Sequence, residues 1–112
     1  MLPRVSGTPH PGWQTSPMTT YLVVTAKIND LALLNEYQAG AGPTLAGHPV
    51  TPIVVTNDAE VLEGTPPGGR CVILGFPDRD ALMAWYNSDA YQAVIGKRHS
   101  ATEGFAMIVE GF

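Results

Sequence analysis

In the stretch AWYNSDAYQ, from Ala84 to Gln92, three large aromatic side chains, Trp85, Tyr86 and Tyr91, bracket the polar triplet Asn87-Ser88-Asp89. Aromatics gathered this tightly either wall a ligand cavity or fill a core. Phe76, at the end of the preceding apolar run, belongs with them as a fourth wall. Three further residues could handle a polar group. His48 lies between Gly47 and Pro49, and an imidazole is the side chain best suited to moving a proton near neutrality; the alternative is a loop histidine in water. Tyr37 can orient a substrate oxygen through its hydroxyl, or be a core tyrosine with its hydroxyl at the rim. Arg98 can grip a carboxylate with two parallel N–H bonds, or complement the negative end of a helix. The candidate catalytic residues are therefore His48 and Tyr37, and the candidate substrate-binding residues are Phe76, Trp85, Tyr86, Tyr91 and Arg98.

Other chemistries find little support. The three histidines, His10, His48 and His99, show no paired ligand spacing, so no metal site is expected. Haem would have only His48 or His99 as an axial ligand. The glycine-rich GTPPGGR lacks both the phosphate-loop pattern and the dinucleotide fingerprint, and no Gly-x-Ser-x-Gly elbow occurs. No cofactor is expected. Six lysines and arginines against ten acidic residues, a net charge of −4, leave no basic stripe to neutralise phosphates, which argues against nucleic acid as a partner. No apolar stretch is long enough to span a membrane. The single cysteine, Cys71, falls in the apolar run CVILGF with no disulfide partner, which fits a reducing cytoplasm.

The elements that must position these residues can be read along the chain. Residues 1–17 are rich in proline and glycine and have no apolar periodicity, which predicts a disordered or loosely docked arm with Trp13 as its one anchor, and a single domain over residues 18–112. The arm has no unbroken apolar core of the kind a secretory signal requires. YLVVTAKI, Tyr21 to Ile28, predicts a central strand. Asp30 can then cap a helix carrying Leu31, Leu34 and Tyr37 on one side. Gly40, Gly42 and Pro43 predict a break and a short continuation ending at Gly47. PVTPIVVT reads as a strand confined to a sheet edge by Pro52. RCVILGF, Arg70 to Phe76, reads as a buried strand. Asp78 caps the next helix, Asn87-Ser88 ends it, and Ser88 caps a further segment from Asp89 to about Arg98 whose inner face carries Tyr91, Val94 and Ile95. FAMIVEGF closes the chain as a strand.

The order strand, helix, strand, strand, helix, strand predicts an α+β fold: the ferredoxin-like β-α-β-β-α-β arrangement, a four-stranded antiparallel sheet in the order fourth, first, third, second, with the second helix broken near Ser88. Helices cover one face of such a sheet. The first, third and fourth strands are apolar at both alternations, so the other face needs a cover too, and sheet-to-sheet packing in a homodimer supplies it.

Several segments, YLVVTAKIND, NEY, PTLAGH, EVLEG, FPDRDALMAWYNSDAYQAVIGKR and the closing IVEG, resemble the bacterial family named domain of unknown function 1330, within the dimeric α/β-barrel superfamily. The resemblance spans roughly Thr20 to Gly111, and the FP…AWYNSDAYQ…R string is its most specific part. It implies a pocket inside each subunit, between helices and sheet. The superfamily it implies includes cofactor-independent monooxygenases of aromatic polyketides, muconolactone-type isomerases, haem-degrading and haem-peroxidase relatives, and ligand-sensing domains. Two functional classes stay open. One is a small cofactor-independent enzyme (an isomerase, lyase or monooxygenase) or ligand-binding protein for a small apolar or aromatic carboxylic or carbonyl compound. The other is a non-catalytic dimeric binding or interaction module whose aromatics are core.

Overall fold

The structure, a computed structural model, describes residues 18–112. The arm of residues 1–17, with His10 and Trp13, lies outside the described residues. The chain runs β1 (Thr19–Ile28), α1 (Leu31–Ala41), a single 3₁₀ turn (Gly42–Leu45), β2 (Thr51–Thr56), β3 (Arg70–Phe76), α2 (Arg79–Tyr86), α3 (Asp89–Gln92), α4 (Ile95–Ala101) and β4 (Thr102–Gly111). The four strands form one antiparallel sheet in the order β2-β3-β1-β4. This is the α+β, ferredoxin-like arrangement that the alternation of apolar runs predicts.

The first three helices start where an acid or hydroxyl accepts from a free backbone N–H, whereas α4 begins after Val94 with no side-chain cap. The Asp30 carboxylate accepts from the Leu33 amide at 3.0 Å, that of Asp78 from Ala81 at 2.8 Å, and the Ser88 hydroxyl from Tyr91 at 3.2 Å. Pro52 occupies an edge strand, as its missing donor requires, and a bulge sits between Pro52 and Val54.

Parity along the strands separates two faces. Leu22 and Val24 of β1, with Leu74 and Phe76 of β3, lie under the helices and pack against Leu34, Tyr37, Leu82, Trp85, Tyr91 and Ile95. On the opposite face, cross-strand pairing sets Tyr21, Val23 and Thr25 of β1 between Gly75, Ile73 and Cys71 of β3 and Val109, Met107 and Phe105 of β4. Phe105, Met107 and Val109 remain 51, 46 and 40% exposed there. The second apolar face foreseen from the sequence is present and uncovered in the single chain.

Two local expectations need correction. Leu31 is exposed rather than part of the inward stripe, which consists of Leu34, Tyr37 and Ala41. As the first helical residue, its side chain leans back past the helix start and overhangs the layer. The segment beginning at Asp89 is also not one helix to Arg98. Its hydrogen bonds tighten from Ala93 to Asp89 (four residues back) to Val94 to Tyr91 (three residues back), and a new helix begins at Ile95 and runs to Ala101. The tightening keeps both Tyr91 and Ile95 pointed at the sheet.

Glycine has a steric role at one strand crossing. A Cβ on Gly104 would stand 2.1 Å from the Thr25 carbonyl oxygen and 2.6 Å from the Ala26 Cα, both rigid backbone, whereas one on Gly96 of α4 would meet nothing within 4 Å. Gly96→Ala should therefore stabilise the protein by about 0.5–1 kcal/mol through helix propensity. Gly104→Ala should destabilise it, and urea unfolding of the two variants beside the wild type measures both signs.

Candidate functional site

The corner between α2 and α3 carries the aromatic cluster, and its geometry follows from Ser88. Besides capping α3, the Ser88 hydroxyl donates to the Trp85 carbonyl at 2.7 Å, locking the bend. Trp85 is thereby turned onto the sheet, 2% exposed, with its ring stacked on Phe76 at 5.9 Å and 4.1 Å from the Tyr91 ring. Its indole N–H donates to Thr44 Oγ1 at 2.9 Å, and Thr44 in turn donates to the Ala41 carbonyl, tying the corner to the turn after α1. Tyr86 closes the side at 5.6 Å from Tyr91.

Beneath this roof the hydroxyls of Tyr37, on α1, and Tyr91, on α3, share a hydrogen bond of 2.7 Å in the interior. They face a cavity of about 50 Å³ lined also by Trp85, Tyr86, Arg70 and Arg98, with Leu22, Val24, Val72, Leu74 and Ala106 as its floor and side. Arg70 is 6% exposed and donates from Nη1 to Asn57 Oδ1 at 2.7 Å. Arg98 Nε is buried with no hydrogen-bond partner among the described residues. The ion pair Lys97–Glu36, at 3.6 Å, lies at the surface; neither Arg70 nor Arg98 has an acidic partner among the described residues. Burial, then the neighbouring Tyr91, push the Tyr37 hydroxyl well above the tyrosine range. Burial is also the main cause lowering Arg70, partly offset by Tyr37 and reinforced by Arg98. A guanidinium is not deprotonated in proteins, so the cavity holds positive charge without a counter-charge.

This arrangement offers donors. One tyrosine hydroxyl donates to the other, which leaves the second hydroxyl hydrogen for a ligand, and Arg98 Nε–H is a second free donor. Among the described residues no carboxylate and no imidazole lines the cavity. It can hold and polarise a carbonyl or carboxylate oxygen, and the described residues bring no base to it.

The structure brings together Tyr37, Trp85, Tyr86, Tyr91 and Arg98 as the sequence suggests, with Phe76 behind Trp85 as a backing wall. His48 is elsewhere. It lines a broad, open depression of about 540 Å³ with Thr19, Tyr21, Thr51, Gly75 and Pro77, at the other end of the sheet edge, and does not meet Tyr37. His99 lines a third depression beside Arg98 and Glu103. No cluster of three or more histidine, cysteine or acidic side chains suited to a metal occurs among the described residues. The reading from the sequence missed Arg70 and its partner Asn57. The signal was available: Arg70, Val72, Leu74 and Phe76 have one parity, so the arginine had to face the helices with Phe76. Its environment depends on the glycines before it. A Cβ at Gly68 would stand 2.4 Å from the Lys27 Cα, and one at Gly69 would stand 2.6 Å from the Asn57 carbonyl, so only this Gly-Gly pair lets the loop press Asn57 against Arg70.

The family model for the domain of unknown function DUF1330 matches residues 19–112, all of the described residues except Met18. The chain belongs to the DUF1330 family. No curated protein matches it in sequence. Solved structures share the fold of this DUF1330 chain at low identity. A protein of unknown function from Rhodopseudomonas palustris superposes with a TM-score of 0.71 at 11% identity, covering 96% of both chains. SnoaB, a cofactor-independent oxygenase from Streptomyces nogalater, gives 0.51 at 12% identity, covering 82% of this chain and 89% of its own. An ethyl tert-butyl ether d (ethd) family protein from Bacillus halodurans gives 0.57 at 15%, covering 85% and 99%. At such identities the likeness establishes the fold alone.

The hydroxyl pair makes two testable statements. Tyr37→Phe or Tyr91→Phe alone strands a buried hydroxyl and should cost about 1–3 kcal/mol, while the double variant should cost less than the sum, as a double-mutant cycle in urea will read. With its folded-state pKa raised, Tyr37 keeps its proton where the unfolded chain, near the usual value of about 10, has lost it. Stability should thus be intact below pH 10 and decline as pH rises past it, and Tyr37→Phe should flatten that decline in pH-dependent unfolding.

Proposed function

We propose that this chain is a small-molecule-binding protein or cofactor-independent enzyme that takes a small apolar or aromatic carboxylic or carbonyl compound into the cavity between sheet and helices, and that it acts as a cytoplasmic homodimer. The observation that carries the proposal is two guanidinium groups without an acidic partner among the described residues, the buried Arg70 and the half-buried Arg98 with its Nε enclosed, beside a hydroxyl pair with a hydrogen to give. A buried charge left unpaired is costly unless something neutralises it, and a carboxylate held by Arg98 does so. Trp85, Tyr86 and Tyr91 then serve as walls and Tyr37 orients the ligand oxygen. His48 serves such chemistry only as a proton carrier from outside the chamber. SnoaB shows a similar fold in a protein described as a cofactor-independent oxygenase, which supports reading the chamber as a reaction site.

A second reading has its own support. Phe76 and Trp85 are 1 and 2% exposed and stacked, and the cavity is small, which is how a core would look in a non-catalytic interaction module. Calorimetry with benzoate, phenylacetate and butanoate beside their amides separates the two. The ligand reading expects carboxylates to bind and Arg98→Met to weaken them at least about tenfold, given about 1.5–3 kcal/mol for a hydrogen bond to a charged group, with folding unchanged. If none binds the wild type, the aromatics are core and the module reading replaces ours.

Dimerisation rests on the uncovered sheet face, where Phe105, Met107 and Val109 are exposed beside Ile73. The lone Cys71, free and half-buried, suits a reducing compartment, and no helix among the described residues is long and apolar enough to cross a membrane. Sedimentation at micromolar concentration should give a dimer. Ile73→Asp, which sets a charge in that face, should give a monomer, and a wild-type monomer would remove this part of the proposal.

A further inference from the structure

The chamber of about 50 Å³ is too small to hold more than the polar end of a molecule, yet it is not isolated. The helices leave β4 bare on their own side of the sheet. Ala106 and Ile108 pair with Val24 and Leu22, so they have the buried parity, but both are exposed, Ile108 by 37%. Between β4 and α2 runs a mainly apolar trough of about 200 Å³ whose walls include Leu82, Met83 and Ile108, with Arg79 at its rim. Leu22, Tyr86 and Ala106 line both the trough and the chamber, so the two adjoin. Arg70 and Arg98 stand at the chamber end of this space, and apart from Arg79 at the rim the trough is lined mainly by carbon.

We infer that trough and chamber form one site for a carboxylate with an extended apolar tail, its head between Arg98 and the tyrosine hydroxyls and its tail along Leu82, Met83 and Ile108. This rests on the chamber reading above and narrows its ligand class. The register sets the length. Arg70 stands level with Ala26, and Ile108 with Leu22, four residues along β1, roughly 13 Å at the rise of a strand. That span suits a medium-length chain better than a compact ring. The unpaired charge selects an anionic head over a hydroxyl, and the trough selects for length. Neither feature alone defines the ligand, whereas their adjacency does.

The test is calorimetry of the full-length protein with the straight-chain series butanoate, hexanoate, octanoate and decanoate, each below its micelle concentration, and with 1-octanol. Affinity should rise about fourfold per methylene, which is about 0.8 kcal/mol each, and level off once the tail fills the trough. Arg98→Met should weaken every member by a similar factor. Ile108→Gln, at an exposed position, should flatten the rise while sparing butanoate, with circular dichroism confirming an unchanged fold. If butanoate binds through Arg98 but affinity does not grow with length, the trough inference falls and the chamber reading stands. If 1-octanol binds as tightly as octanoate, or Ile108→Gln leaves the rise intact, the tail does not lie where we place it or the head is not recognised, and the inference is overturned. If no member binds, both readings fail together.

Discussion

The 2.7 Å hydrogen bond between the Tyr37 and Tyr91 hydroxyls ties the two halves of the helical layer together in the interior, beside the chamber. Tyr37 comes from the helix after the first strand and Tyr91 from the corner after the third, so the pair closes the split β-α-β unit from above. Both are buried, and each oxygen has the other as its partner in the interior. That mutual dependence fixes the height of the corner over the sheet, and with it the depth of the chamber. Trp85 is held on the same terms, its ring on Phe76 and its N–H on Thr44, so that a single bend at Ser88 commits all of the cluster at once.

The other governing constraint is that two helical units cannot cover a sheet of four long strands on both faces, or even one face completely. The helices sit over β1 and β3. The edge strand β4, ten residues long, stays open on the sheet's outer face, where apolar side chains await a partner, and on the helix side, where Ala106 and Ile108 border the trough. One shortfall in coverage thus yields two surfaces of different character. The outer face is broad and uniformly apolar, suited to a second sheet. The inner one is narrow and ends at guanidinia, suited to a small molecule.

Much of this was legible because strand parity and helix capping are local rules. Pro52 had to be at an edge, Asp30, Asp78 and Ser88 had to start helices, and the apolar alternations of the first, third and fourth strands had to leave a second face. Parity would also have placed Arg70 under the helices, but nothing in the sequence says that no acid meets it there, since that depends on every element packed around it. His48 failed for the opposite reason. A glycine-flanked loop histidine says where a side chain is free to point, and the positive φ of Gly47, 82°, turns this one toward the depression beside Tyr21 rather than the chamber. The tightened turn at Ala93–Val94 was invisible as well, because no proline or capping residue marks it; it arises from the demand that Tyr91 and Ile95 face the same sheet.

The neighbour that Arg70 does have argues for a site rather than a structural ion pair. Asn57 supplies an amide oxygen at 2.7 Å, enough to orient the guanidinium and to satisfy one N–H, but it brings no negative charge. A carboxylate at that position would satisfy the same donor and cancel the charge as well, and breaking or omitting such compensation inside a protein is expensive. The adjacent residue is an aspartate, Asp58, yet it is exposed and its backbone N–H bonds to the Thr56 hydroxyl in the turn. The chain therefore carries an acid one position away and sets a neutral amide against the arginine. A core optimised for stability alone would put an aliphatic side chain where Arg70 stands, since well-packed hydrophobic replacements of buried charges are often neutral or stabilising. Charge held in place, fixed in direction and left uncancelled is what a site requires when its ligand brings the negative charge with it.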